Sequence, residues 1–479
     1  MENTSLKTTG KDFVKTFLLS LFLICVFAGL LTTFVAAWYG ATPAEGFGSD
    51  KFFENMALFA IMAFIFVAVY AYMHYFEAKH LTVKNMTIVY LNMVLAIVIS
   101  CICSDMLNIY VMPIQLCAIM VCLLVAPGVA AVSNISLVPL MLIIFFVKAP
   151  YSSETMAAVV ASVFCGCIGG FVLLYLGSLR LTRMKFIGAG MGVGFLFAPF
   201  SAILTLALGQ RGSEILSNAL WVVVSNSVAI ILQMPLVPIF ETVFNAVTDY
   251  KLDELCSYSS PLIKRLSEEA PGTFNHSVIV GNLAEKCALA IGENTHMARA
   301  AAYYHDVGKL KSPAFFIENQ AGGHNPHDDL IPDVSVSVIS KHTKNGAQII
   351  RENRLPEELA KVALEHHGTT PIKAFYYKAL KLTDGGGLDD DMYRYDGPKP
   401  STKIAAIIMI CDSVEAAARA MNLHRPEEIE DLARKIVNER INDGQFDECD
   451  ITMSDLSKII EAIVSVLAGA FHTRVEYKK

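Results

Sequence analysis

The sequence predicts an all-α protein of two unlike halves: a polytopic transmembrane helical bundle, then an all-helical domain outside the membrane. Three observations predict this. The 479-residue chain is 54% hydrophobic and only 17% charged, whereas soluble domains carry about 25% charge. Its charges are sparse before about residue 243 and dense after it. In the second half apolar residues recur at helical spacing almost throughout, with a strand signal only at 473–477.

Apolar runs long enough to span a bilayer, roughly 17–25 residues, fall at 14–37, 56–76, 86–104, 109–127, 132–148, 154–177, 187–208 and 217–240, which makes eight. The first is longer than a signal-peptide core and lacks a small-residue cleavage site, so it reads as a retained helix. Lys7, Lys11 and Lys15, then Lys79, His80 and Lys84, then Arg180, Arg183 and Lys185 mark the basic flanks. The positive-inside rule places these flanks, and with an even count both chain ends, on the cytoplasmic side of a cell membrane. The spans hold almost no charged side chains, which argues against a proton-coupled pump. Gly188, Gly190, Gly192 and Gly194, with Gly166, Gly169 and Gly170, suit either close helix packing or a small-ligand pocket between helices.

The domains expected are therefore a membrane domain over 1–243, connector helices over 244–270 and a soluble domain over 271–479. Net charge −7 argues against a general nucleic-acid binder. Eleven cysteines without a CxxC pair indicate free thiols rather than a disulfide framework or a zinc knuckle. In the soluble half, helices are expected at 275–291, capped by Asn275 and stopped by Gly292, and at 296–304, 334–351, 356–365, 402–421, 426–442 and 453–471.

Within 271–412 lie His276, the pair His305-Asp306 followed by Gly308 and Lys309, then His342, the pair His366-His367, and Asp412. Taken singly, any of these is an ordinary histidine or acid. However, His305-Asp306 follows an apolar Ala-Ala-Tyr-Tyr run, and Asp412 sits after Ile407-Ile408-Met409-Ile410-Cys411. Burying such groups is costly unless a metal or hydrogen bonds compensate. Imidazoles and carboxylates are ligands for divalent transition metals, and iron or manganese suits this nitrogen-rich set better than magnesium. Seven such side chains are about what a two-metal site needs if one carboxylate bridges.

These residues resemble a known family. His276, His305-Asp306 with Gly308 and Lys309, and Asp412 are similar to the signature of the HD superfamily of metal-dependent phosphohydrolases, and His342 with His366-His367 to its two-metal phosphodiesterase branch. Segments 270–277, 315–320, 325–328, 365–370, 412–417, 444–448 and 471–477 resemble the seven-transmembrane HD receptors, bacterial enzymes that hydrolyse cyclic di-AMP to linear pApA. The likeness covers essentially the whole chain. Asn275 stands where that family usually has a second histidine, and the loop at 38–55 has no room for its large extracellular domain. The related branch that cleaves cyclic di-GMP carries Gly-Tyr-Pro, where this chain has Gly368-Thr369-Thr370-Pro371.

The resemblance implies one metal on His276, His305, Asp306 and Asp412, and a second on Asp306, His342, His366 and His367, with Asp306 bridging and a metal-activated hydroxide as nucleophile. Asp306 and Lys309 are then the catalytic candidates, Lys309 as a point charge on the developing phosphorane. Asn319, Gln320 and His327 either line the dinucleotide pocket or hold their loop. Arg394, in the glycine- and aspartate-rich segment 383–400, either reaches substrate or belongs to a structural insert. The expected partners are a cyclic dinucleotide and the lipid bilayer, with no nucleic-acid polymer, and a homodimer is compatible with the sequence. Competing functions are hydrolysis of cyclic di-GMP or another nucleotide, and a receptor whose HD domain only binds a ligand.

Overall fold

A computed structural model describes residues 10–38, 49–147, 153–179, 181–209, 212, 215–320, 322, 324–382 and 388–470. Lys7, Arg180, Asp384 with Gly385-Gly386-Gly387, and the strand expected at 473–477 lie outside the described residues. The chain divides into two units, Met1–Thr248 and Asp249–Lys479. Among the described residues no β-strand forms, only an isolated bridge between Pro371 and Arg394.

The first unit contains α1 (Gly10–Trp38), α2 (Ser49–Phe76), α3 (Val83–Met106), α4 (Gln115–Leu124), α5 (Pro127–Val147), α6 (Ser153–Ser178), α7 (Arg183–Ala207) and α8 (Ile215–Val243). Seven of these are long and apolar enough to cross a membrane. The exception is the run expected as a span at 109–127. It folds as a turn followed by the ten-residue α4, about 15 Å long at 1.5 Å per residue, against a hydrocarbon core of about 30 Å. Pro113 lies in the turn that precedes it. Tyr110, Val111, Met112 and Ile114 are buried, as are the residues from Gln115 to Val121. Non-helical backbone survives at membrane depth only where protein surrounds it in this way. The even span count, and with it the reason for putting both chain ends on one side, does not follow from helix length.

The glycines of α7 divide by face. A methyl at Gly190 would meet Ile230 Cδ1 at 2.7 Å, and one at Gly194 the Val223 backbone at 3.1 Å, so α8 packs against this side. Gly188 and Gly192 face open space. Asn226 Nδ2 donates to Gly190 O at 2.7 Å, fastening the same contact. Gln115, Ser162, Gly166, Gly194 and Ser225 line a gap of only about 10 Å³, room for about one water. Close packing, rather than a small-ligand pocket, is what these glycines serve here.

The second unit contains α9 (Asp249–Leu255), α10 (Pro261–Glu269), α11 (Pro271–Ile291), α12 (Thr295–Tyr304), α13 (Pro332–Glu352), α14 (Glu357–Glu365), α15 (Lys373–Leu382), α16 (Lys403–Ala420), α17 (Pro426–Asn442) and α18 (Met453–Ala470). Of the segment expected as a connector, residues 244–248 belong to the first unit and residues 249–270 to this one. Tyr304 Oη donates to Leu255 O at 2.9 Å and meets Ser260 Oγ at 2.9 Å, tying α9 and α10 to α12. Asn275 does not cap α11. The helix starts four residues earlier at Pro271, whose missing N–H costs nothing in a first turn. Gly292 does stop it, with φ +77°. Sequence periodicity missed α15, which fully buries only Ala379. The centre is α16: Ile404 to Asp412 is buried without interruption, with α11, α12, α14 and α17 against it.

Candidate metal centre

Asp306 lies where α12 ends, as N-cap of the 3-10 turn Val307–Lys311. The turn passes so close to α13 that a methyl on Gly308 would lie 1.9 Å from His342 O. Glycine is what allows Asp306 and His342 to share a site. Gly368, at φ +53°, plays the matching part after His366-His367.

The seven sequence-derived candidates come together from five helices and their ends. Asp306 Oδ2 lies 3.2 Å from His305 Nε2 and 4.0 Å from His276 Nε2. Its other oxygen, Oδ1, lies 3.3 Å from His342 Nε2 and 3.7 Å from His366 Nε2. Asp412 Oδ1 lies 2.9 Å from His276 Nε2 and 3.8 Å from His305 Nε2, while its Oδ2 lies 3.7 Å from His367 Nδ1. The donors form overlapping clusters, His276–His305–Asp412, His305–Asp306–His366 and His342–His366–His367, each with its atoms within 4.8 Å of one another.

Helix geometry aims three of these rings. Nδ1–H of His305, His342 and His366 donates to the carbonyl three residues back, Ala302 at 2.6 Å, Ile339 at 2.6 Å and Ala363 at 2.9 Å. In the neutral ring, the form that binds a metal, this leaves Nε2 bare and pointing inward. His276 does the same through Glu415, whose Oε2 accepts from Nδ1 at 2.5 Å. His305 Nε2 and Asp306 Oδ1 are buried with no hydrogen-bond partner. Buried, unpartnered donor atoms of this chemistry, converging from opposite sides, are a set that divalent cations fit.

The electrostatics agree. Burial lowers His305, but Asp306 and Asp412 outweigh it and lift it to about 10. Burial raises Asp306, and the His305 imidazole and Lys309 ammonium outweigh that, holding it well below the carboxylate range. His342, dominated by burial, falls to about 3. The pocket thus attracts positive charge while keeping part of its imidazoles neutral.

Lys309 Nζ sits 2.7 Å from Asp306 Oδ2 and 2.7 Å from Glu318 Oε1, an acid not singled out from the sequence. The other candidates are engaged in structure. Asn319 accepts from Thr273 N at 3.1 Å and donates to Thr273 Oγ1 at 2.9 Å. Gln320 Nε2 donates to Ala314 O at 3.0 Å. His327 Nε2 bonds Phe315 O at 3.0 Å. Arg394 bonds Thr369 O at 2.8 Å and pairs with Asp443 at 3.0 Å. Its neighbour Tyr395 stacks on His367, centroids 4.3 Å apart.

Residues 273–417 match the HD domain family, and residues 52–248 match the family described as 7TM receptor with intracellular HD hydrolase. The chain thus carries a region similar to the membrane part of the 7TM receptors with intracellular HD hydrolase, followed by an HD domain. The matched membrane region holds six of the long helices and α4, and α1 precedes it. Among relatives of these receptors, the chain is 37% identical over 448 residues to the cyclic-di-AMP phosphodiesterase PgpH of Bacillus subtilis, covering 90% of this chain and 61% of that protein. It is 45% identical over 249 residues to PgpH of Listeria monocytogenes, covering 52% of this chain and 34% of that protein. The chain therefore spans less than two thirds of the length of either relative. The crystal structure of the L. monocytogenes PgpH HD domain in complex with cyclic-di-AMP is 45% identical, with TM-score 0.43, and covers 44% of this chain and 98% of that one.

Proposed function

We propose that this protein is a membrane-anchored phosphodiesterase that hydrolyses cyclic di-AMP to pApA, with its HD domain on the cytoplasmic face of the cell membrane. The observation that carries the reading is Asp306, which turns one carboxylate oxygen to His276 and His305 and the other to His342 and His366. Two divalent ions fit these donors, one on His276, His305, Asp306 and Asp412, the other on Asp306, His342, His366 and His367; iron or manganese suits so many imidazoles. When bound, the pair supplies an acidified water and neutralises the phosphodiester oxygens. The chain's own part is positional. Backbone carbonyls and Glu415 hold the imidazoles in register. Glu318 anchors Lys309 beside Asp306, and Lys309 retains a third N–H for a phosphate oxygen. Water's oxygen bonds to phosphorus, the P–O3′ bond breaks, and the products are a 3′-hydroxyl and a 5′-phosphate.

The test is the full chain in detergent or nanodiscs, loaded with Mn²⁺ or Fe²⁺, given cyclic di-AMP, cyclic di-GMP and a mononucleotide panel, with products identified by mass. Conversion of cyclic di-AMP to pApA supports the reading. Preferential turnover of another substrate, or none of cyclic di-AMP, overturns it.

A further inference from the structure

A cyclic dinucleotide carries two phosphodiesters in one ring, and only one can lie at the metal donors. The other is carried across the ring and needs a cation of its own. Lys309 is held by Asp306 and Glu318, and Arg394 by Asp443 and Thr369. Arg440, near the end of α17, is differently placed. Its Nη2 donates to Ser413 Oγ at 3.2 Å, one residue beyond Asp412 on α16. Its Nε is buried and has no hydrogen-bond partner. Burial lowers its affinity for the proton, while Glu439, Asp412, Asp443 and the Tyr395 hydroxyl act against that. Through Ser413, Arg440 is tied to α16 one residue from Asp412.

The same arginine lines an open cleft of about 310 Å³ with Pro371, Lys373, Glu439, Asn442 and Asp443, at the lower end of the range of small-ligand sites. Its two acids are already paired, Glu439 with Lys373 at 2.8 Å and Asp443 with Arg394 at 3.0 Å. The lining itself balances Lys373 and Arg440 against Glu439 and Asp443, and since Lys373 and Arg394 occupy the two acids, Arg440 is the lining cation that forms no ion pair among the described residues. An arginine with unfilled donors next to a metal-donor cluster is suited to a phosphodiester anion.

We infer that Arg440 and this cleft form a second phosphate subsite, which holds the phosphodiester that is not cleaved and thereby selects cyclic dinucleotides over single phosphodiesters. The inference rests on the phosphodiesterase reading above.

The test compares wild type, Arg440→Gln and Arg440→Lys, as full chains with equal metal content, on cyclic di-AMP and on bis(p-nitrophenyl) phosphate, which has no second phosphate. Expected for Arg440→Gln is a KM for cyclic di-AMP raised at least tenfold, with kcat within about threefold and turnover of the aryl diester within twofold. Arg440→Lys falls between. The aryl diester rate and the metal content report a folded site in each variant. An unchanged KM for cyclic di-AMP overturns the inference, as does an equal loss on both substrates, which would place Arg440 in support of Asp412. Wild type that cleaves only the aryl diester removes the cyclic di-AMP reading itself, and the subsite with it.

Discussion

His342 and His366 face each other with their Nε2 atoms 3.2 Å apart, and in the neutral tautomers set by their Nδ1 bonds neither has a proton to offer the other. Each has placed its N–H on the Nδ1 side, against the carbonyls of Ile339 and Ala363. Two lone pairs at that distance repel unless a cation lies between or beside them. Removing metal should therefore cost stability as well as activity. A ligand held at a hundred times its dissociation constant stabilises by about 2.7 kcal/mol. Chelation should lower the melting temperature of the HD domain's transition by several degrees, and Mn²⁺ should restore it. An unchanged melting temperature with metal demonstrably removed would contradict the assignment.

Metal uptake should release a proton. In the chelated protein His305 is lifted to about 10, above an unfolded value near 6.5. A raised histidine stabilises the fold fully below about 6.5 and loses that contribution as pH rises towards 10. The bound metal needs the neutral ring. Apparent affinity should therefore climb about tenfold per pH unit between 7 and 9, approaching one proton released. Calorimetry in buffers of different ionisation enthalpy measures this directly, and zero protons at pH 7.5 would contradict it.

Glu415 lies one turn beyond Asp412 on α16 and holds His276 by Nδ1 at 2.5 Å. Replacing an outer partner of a ligating histidine typically costs 10–100-fold in metal affinity or activity. Glu415→Gln should lose about that much affinity at one of two sites. The signature is a biphasic metal titration with one unchanged phase, and an unaltered titration would assign Glu415 to packing alone.

The sequence exposed the seven candidate donors for a physical reason: acids and imidazoles at helix ends and inside apolar runs such as Ile407 to Asp412 are conspicuous because burying them is costly. Their partners were not conspicuous. Glu318 and Glu415 lay in family-like segments without being singled out and Arg440 was not remarked, because only the crossing of α11, α16 and α17 and the fold of residues 312–320 bring them to the site. The span at 109–127 failed differently. Hydropathy counts apolar residues without asking whether the backbone is helical, and the turn ahead of α4 makes the run too short. Asn319, Gln320 and His327 were visible as polar loop residues with two open roles, and their amide and imidazole groups bond the loop's own backbone and Thr273.

Lys309 should affect rate rather than metal. Burial lowers it, and Asp306 and Glu318 outweigh burial and hold it charged. Removing one preorganised group that meets developing charge typically costs about 10²–10³ in kcat. Lys309→Met should lose about that factor while retaining both metals. Glu318→Gln, which loosens the lysine without removing it, should lose less. Loss of metal in Lys309→Met would move the residue from substrate stabilisation to site assembly.

Glycine positions provide the sharpest structural contrast. A methyl on Gly308 would sit 1.9 Å from His342 O and 2.5 Å from Gly346 N, both backbone atoms that no rotamer change can move aside. Overpacking of this kind costs about 1–3 kcal/mol, occasionally more. It would also push α13, and His342 with it, away from Asp306. Gly308→Ala should therefore lower the melting temperature of the HD domain and weaken binding of the metal held by His342. Gly188→Ala, with nothing within 4 Å of the added methyl, should leave both within about 0.5 kcal/mol of wild type. Equal tolerance at the two positions would mean that α13 does not approach the turn at Gly308 so closely, and the shared Asp306–His342 site would lose its structural basis.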